Sequence, residues 1–133
     1  MTLTEFLTAR FDEDEVAAQA AFPGPWRHDP GKEWFIDPDK LRAARAGVRQ
    51  SGGEEAVLAG HALVVGVAAT GPSDDPQSMA DADHIARHDP ARVSADVEAK
   101  RRIMKVAEFE LDILELLALP YADHPDYDEA WRP

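Results

Sequence analysis

The chain contains no cysteine, and that absence removes several classes of function together. Disulfide bonds, thiolate nucleophiles and cysteine-ligated zinc or iron–sulfur centres all require this residue. Serine is scarce too, and no serine has the sequence context of a nucleophile elbow. The glycine pair Gly52-Gly53 of the chain is not followed by the lysine that a phosphate-binding loop requires. The sequence therefore indicates a protein without a cofactor and favours a function other than catalysis.

Basic residues are also in short supply. Lysine and arginine number 14 against 26 aspartates and glutamates, so the formal net charge is -12 at pH 7. Such a surface repels phosphate backbones and anionic lipids, which argues against direct binding of nucleic acid or membranes. The partner class that this charge favours is a basic protein.

No apolar run is long enough to suggest a membrane span. The most apolar stretch, "AVLAGHALVVGVAAT" (56–70), is shorter than a bilayer requires and contains His61. The N-terminal "MTLTEFLTARFDEDE" is acidic where a secretory signal needs a basic region. We therefore expect a cytoplasmic protein whose 133 residues form a single domain over 1–133.

The order of local signals predicts an α+β fold. Thr2 and Glu5 form a capping box at the start of an N-terminal helix, which the prolines of "FPGPW" must end. Further along, valine-rich segments on either side of a Gly60-His61 turn predict a β-hairpin. The other predicted elements are a strand over 32–37, a helix over 38–47, a loop over 71–79 and a short helix over 81–88. Together they predict a small antiparallel sheet of about three strands, covered on one face by helices.

The C-terminal third predicts one long helix. Asp89-Pro90 supplies a capping residue and a proline at the first helical position, and no breaker follows before Leu119-Pro120. A helix over 90–119 would be about 43 Å long. The remaining residues, 120–133, form a tail punctuated by proline. Its aromatic residues, Tyr121, Tyr127 and Trp131, are expected to fold back onto the domain, with a docking peptide as the alternative.

The predicted long helix has more apolar surface than a small sheet can cover, because a second stripe containing Ile103, Val106 and Ile113 runs beside the first. Its charges are sorted into a basic block, "KRRIMK", and an acidic block, "EFELDILE". Two antiparallel copies would therefore be self-complementary, as a two-fold homodimer requires. The predicted interface residues are Val97, Arg101, Met104, Lys105, Glu108, Leu111, Asp112 and Leu114. The alternative is that the basic block pairs with the acidic run of the N-terminal helix in the same chain.

The stretch "DADHIARHDPARV" (81–93) places two histidines, His84 and His88, on one helical face. With His124 as a third ligand and a nearby aspartate, these imidazoles could hold a metal ion. However, Ile85 stands where a zinc protease motif needs glutamate. A helix junction is the favoured interpretation, since a histidine in the last turn of a helix suits the helix dipole.

Three aromatic residues, Trp26, Trp34 and Phe35, lie near the predicted sheet. Their size favours a place in the core, and a ligand cleft is the alternative. The second hypothesis for function combines these features. It is a small metal-dependent enzyme or a ligand-sequestering protein that uses His84, His88 and His124.

Several long strings carry a resemblance: "AAFPGPWRHDPGKEWF", "VAATGPSDDPQSMADADHIARHDPARV", "EAKRRI" and "LLALPYADHPDYDEAWRP". The chain resembles a domain-of-unknown-function family of small actinobacterial proteins that also occurs in phages and prophages. That resemblance implies no activity, cofactor or catalytic residue. More loosely, the chain is similar to phage early accessory proteins, including the Ea22-like group, in which a small domain precedes an oligomerising helix. Sequence and resemblance together predict a small acidic binding or regulatory accessory protein that self-associates.

Overall fold

The computed structural model describes residues 1–30 and 32–133. Within them the chain has five α-helices and one three-stranded antiparallel sheet, which confirms the predicted α+β class. The helices are α1 (Leu3–Ala20), α2 (Pro38–Arg45), α3 (Pro76–Arg87), α4 (Pro90–Val106) and α5 (Leu111–Ala118). The strands are β1 (Arg27–His28), β2 (Glu54–Ala59) and β3 (Val65–Pro72), and two 3-10 turns follow at Leu119–Tyr121 and Glu129–Trp131. None of the helices in these residues combines the length and apolar character needed to cross a membrane.

The chain falls into two compact units, which we call the helical unit (1–21 and 93–133) and the sheet unit (22–92). The helical unit is built on α1, whose start is the predicted capping box. The Thr2 hydroxyl accepts the Glu5 amide at 3.2 Å, and the Glu5 carboxylate accepts the Thr2 amide at 2.7 Å. These bonds lower the pKa of Glu5. The core of the unit joins α1 to the two C-terminal helices through Leu3, Phe6, Leu7, Phe11, Val97, Leu114 and Ala118.

The single long helix predicted over 90–119 is wrong, because α4 ends at Val106 and α5 starts at Leu111. In the intervening turn the Ala107 amide donates to the Ile103 carbonyl and the Glu110 amide to the Ala107 carbonyl. The segment "AEFE" (107–110) contains neither proline nor glycine, so the break has no local breaker signal. A single helix of about 43 Å would extend well beyond α1, which is about 27 Å long. The turn instead lets α5 pack on α1 and places Ala107 in a buried position.

In the sheet unit, β2 is the central strand and pairs antiparallel with both neighbours. The predicted hairpin is confirmed as β2 and β3, although its connection spans residues 60–64 rather than two residues. The strand predicted over 32–37 is wrong, since this segment forms only an isolated bridge from Trp34 to Glu54. The reason is visible at Ile36, whose amide donates to the Glu54 carboxylate at 3.0 Å instead of to a strand carbonyl. The third strand is β1, paired with Leu58 and Val57.

The starts of α2 and α4 follow the predicted caps. The Asp37 carboxylate accepts the amides of Asp39 and Lys40 at the start of α2, and Asp89 accepts the Arg92 amide at the start of α4. Helix α3 begins earlier than the predicted 81–88, within the predicted loop. Its N-terminus is capped by Asp75, which accepts the Ser78 amide at 2.9 Å.

Candidate functional site

A group of large apolar side chains is exposed between residues 103 and 116, on α4, α5 and the turn that joins them. Two of them are almost fully open to solvent: Val106 is 88% exposed and Phe109 is 91% exposed. We call this group the 103–116 surface; its members are Ile103, Val106, Phe109, Leu111, Ile113 and Leu116. Apolar side chains that form one contiguous patch mark a binding surface, whereas exposed apolar residues that are scattered singly are ordinary on a protein surface. The helix break contributes one of these residues, because Phe109 lies within the turn itself.

Charges of opposite sign lie on the two sides of Val106. Lys105 precedes it, while Glu108, Glu110 and Asp112 follow it, and all four are exposed. Across residues 1–30 and 32–133, none of these four side chains takes part in a salt bridge. An apolar centre with a cation on one side and carboxylates on the other is complementary to itself under a two-fold rotation.

The structure divides the predicted interface residues into two groups. Val97 and Leu114 are buried in the core of the helical unit, and Met104 packs against it. Arg101 forms salt bridges with Glu15 at 2.6 Å and Asp12 at 2.7 Å. The other predicted residues, Lys105, Glu108, Leu111 and Asp112, are exposed.

For Arg101, the structure therefore agrees with the alternative that the basic block pairs with the N-terminal helix of the same chain. The hydrogen bonds with Glu15 and then Asp12 raise the pKa of its guanidinium. What the predicted set omits is Phe109, which belongs to neither apolar stripe. Val106 belongs to the second stripe, so the sequence did contain a signal for it.

The aromatic residues of the tail fold back onto the helical unit, as predicted. The rings of Trp131 and Tyr127 lie with their centroids 5.2 and 5.8 Å from that of Phe6. The Tyr121 hydroxyl donates to Asp14 at 2.6 Å. Burial and this hydrogen bond together raise the pKa of Tyr121. These rings complete a core and do not form a free docking peptide.

Two of the three candidate metal ligands lie together. The rings of His84 and His88 have centroids 4.5 Å apart, whereas His124 belongs to the helical unit and contacts Arg10 and the ring of Phe6. In the described part of the chain, no three or more His, Asp or Glu side chains form a group suited to a metal ion. The three-histidine site stays a prediction without support from this geometry.

The favoured interpretation of this stretch, a helix junction, is confirmed. His88 is the C-terminal cap of α3, and its amide donates to the Ile85 carbonyl. The next residue, Asp89, caps α4. The ring nitrogen Nδ1 of His88 also lies 2.8 Å from the His84 carbonyl oxygen, so it satisfies a carbonyl at the end of α3.

The sequence reasoning missed a buried polar centre in the sheet unit. Glu55 on β2 is fully buried, and its carboxylate lies 2.9 Å from Nε2 of His28 and 3.3 Å from the Ser73 hydroxyl. Burial raises the pKa of Glu55, but the hydrogen bonds from His28, the Asp74 amide and Ser73 outweigh it, so the net pKa is lowered. The signal in the sequence was the doublet Glu54-Glu55 at the head of an apolar strand, where alternation places one carboxylate inside.

This centre holds a hydroxyl, an imidazole and a carboxylate, but in the wrong order for nucleophilic catalysis. A triad needs the imidazole between the hydroxyl and the carboxylate. Here the Glu55 carboxylate lies between Ser73 and His28, and both bind to it. The arrangement connects β1, β2 and the turn after β3, which is a structural role.

Comparison with known proteins gives one match. A family described as "Family of unknown function (DUF6221)" matches residues 1–133. No curated protein and no solved structure matches the chain. The predicted resemblance to a domain-of-unknown-function family is thus confirmed, while the actinobacterial or phage origin and the similarity to Ea22-like proteins stay predictions.

Proposed function

Since the chain belongs to the DUF6221 family, which assigns no activity, we propose that it is a non-enzymatic binding protein that forms a homodimer through the 103–116 surface. The observation that carries this proposal is the exposure of Val106 and Phe109. Both lie where α4 gives way to α5, two helices whose opposite faces form the core of the helical unit.

The energetics of the apolar centre are those of a weak dimer. Burying an exposed valine or phenylalanine side chain contributes about 1.5–3 kcal/mol to the free energy of association. Each side chain is buried twice in a two-fold dimer, once in each copy. Association costs about 4–15 kcal/mol in lost translational and rotational freedom. Two valines and two phenylalanines together contribute about 6–12 kcal/mol, which is close to this cost, so these four side chains alone support only a weak dimer.

Charge sets the relative direction of the two copies. In an antiparallel arrangement about Val106 and Phe109, Lys105 of one copy faces Glu108 of the other, and the reverse pair forms by symmetry. Arg101 is not part of this proposal, because it already binds Glu15 and Asp12 in its own chain.

The test is a pair of matched variants, Val106→Glu and Val16→Glu. Both replace an exposed helical valine of the helical unit, 88% and 66% exposed respectively. We expect Val106→Glu to raise the dimer dissociation constant at least about tenfold, since it places two like charges near the symmetry axis. Val16→Glu should leave it unchanged. Sedimentation velocity over a concentration series measures both.

A charge exchange tests the direction of packing. Lys105→Glu and Glu108→Lys should each weaken the dimer, and the double variant should restore it, because the pair is re-formed with its signs reversed. A wild-type protein that stays monomeric at several hundred micromolar, or two valine variants that behave alike, would contradict the proposed dimer.

The wider role that we propose is that of an accessory protein, of phage or prophage type, which binds a basic partner. The net charge of -12 supports a basic partner, and the resemblance to phage accessory proteins supports the setting. Binding that depends on this charge should fall steeply between about 50 and 500 mM salt, since screening shortens the range of the field. Retention of a partner at the higher salt concentration would contradict it.

A further inference from the structure

The sheet unit contains a pocket of about 400 Å³ between the segment before α2, the helix α2 itself and the hairpin loop. This volume lies within the range of small-molecule sites, about 300–1,000 Å³. Most of the wall is apolar, formed by Trp34, Phe35, Ile36, Leu41, Leu58 and Val64. Two of these residues, Trp34 and Phe35, were expected in the core, with a ligand cleft as the alternative. Neither is among the buried residues of the core, which agrees with the cleft.

One charged residue is among those that line this pocket, the exposed Arg45, and no carboxylate is among the lining residues described. Within residues 1–30 and 32–133, Arg45 has no salt bridge and no side-chain hydrogen bond. A guanidinium without a carboxylate partner matches an anionic group, best a carboxylate that it can bind in bidentate fashion.

The indole nitrogen of Trp34 is buried and has no hydrogen-bond partner. Because this atom is not accessible to solvent, the open space of the pocket does not reach it. The support for a ligand from the wall is its shape at Gly66. At Gly66, a Cβ atom would lie 3.2 Å from Cδ1 of Ile36, so the absent side chain keeps this part of the wall open.

We propose that this pocket binds a small monocarboxylic acid with an apolar body, whose carboxylate pairs with Arg45 and whose body contacts the apolar wall. The binding is non-covalent and independent of the dimer. This proposal assigns a small-molecule ligand to the protein, whereas the 103–116 surface is proposed to bind a second copy of the chain.

The experiment compares two probes of the same shape, octanoate and the neutral octanamide, by isothermal titration calorimetry. We expect octanoate to bind at least about tenfold more tightly, since only it can form the ion pair with Arg45. Arg45→Gln should abolish this preference while octanamide binding stays unchanged. The matched control is Arg42→Gln on the same helix, where the arginine is paired at the surface with Asp39; it should keep the preference.

A second variant tests the place of binding. Gly66→Val fills the wall beside Ile36 and should weaken the binding of both probes at least tenfold, with circular dichroism and the melting temperature confirming that the variant is folded. Equal affinity for the two probes, no saturable binding of octanoate up to about 1 mM, or an unchanged preference in Arg45→Gln would each overturn the proposal. So would amide chemical-shift changes that map to the 103–116 surface instead of the pocket.

Discussion

The helical unit and the sheet unit complete their interiors with different chemistry. In the helical unit, aromatic rings from the tail close over Phe6, and the one buried charged residue described there is a cation, Arg10. In the sheet unit, the interior contains two carboxylates, Glu55 and Asp89, beside the apolar residues of β2. Each carboxylate joins segments that are distant in sequence, as when Asp89 accepts the Trp26 amide at 3.1 Å.

This difference predicts how the stability of each unit responds to a change of pH and to a change of side-chain volume. Apolar burial involves no titratable group, so the core of the helical unit should respond mainly to changes of side-chain volume. A buried carboxylate contributes only while it is ionised and its donors are present. The sheet unit should therefore be the first to lose stability in acid.

The largest effect is expected from a change in the aromatic core. Phe6→Ala should lower the free energy of unfolding by about 3–5 kcal/mol, since it removes a fully buried ring. The matched control Phe109→Ala, at a position 91% exposed, should change it by less than about 0.5 kcal/mol. Urea denaturation followed by circular dichroism measures both. The Val106→Glu background removes any contribution of the dimer. Similar losses for the two variants would refute the assignment of the core.

The next effect concerns the polar centre of the sheet unit. Glu55→Gln keeps the shape of the side chain but removes the charge that His28, Ser73 and the Asp74 amide bind. We expect a loss of about 2–3 kcal/mol at pH 7. Glu98→Gln, at an exposed site paired with Arg102, should cost less than about 0.5 kcal/mol. An equally small loss for Glu55→Gln would show that its hydrogen bonds contribute little.

The same pair of variants gives a pH dependence. The pKa of Glu55 is lowered in the folded protein from its ordinary value of 4.5, so the unfolded chain takes up the proton first. The stabilisation is complete above pH 4.5 and is lost as the pH falls through the lowered pKa. Unfolding curves from pH 7 down to pH 3 should therefore converge for wild type and Glu55→Gln. Parallel curves would contradict this linkage.

The smallest effect is expected at the edge of the helical unit. Arg101→Gln removes salt bridges with Glu15 and Asp12 that are partly exposed, and solvent screens such pairs. We expect a lower melting temperature in dilute buffer and little difference in 1 M salt. Arg102→Gln, which loses only a surface pair with Glu98, should change less. A loss that persists in high salt would indicate that packing of the arginine stem matters more than its charge.

Features governed by neighbours in sequence could be predicted. The caps at Thr2, Asp37 and Asp89 were correct because a capping side chain binds amides two or three residues away. The hairpin was correct because both of its strands are apolar and adjacent in sequence. The return of the tail followed from the cost of leaving three large rings in water.

Features governed by distant contacts could not be predicted in the same way. The break at 107–110 contains no breaker residue, and it arises because α5 packs on α1. The third strand is β1 rather than 32–37 because side chains such as Glu54 took the hydrogen bonds of that segment. The partners of Arg101 could not be predicted either. Carboxylates were available both on α1 of the same chain and on a second copy of the chain, and the sequence does not distinguish between them.

By itself, the sequence of this protein determined its α+β class, the starts of α1, α2 and α4, its acidic surface and the excess of apolar residues after α3. Only the tertiary structure decided which of those apolar residues are buried, so that Leu114 lies in the core while Val106 and Phe109 face solvent. It also assembled Arg45 and Trp34 at one pocket. The physical reason is that local hydrogen bonds are specified by a few adjacent residues. Burial, in contrast, depends on which surfaces meet once the whole chain has packed.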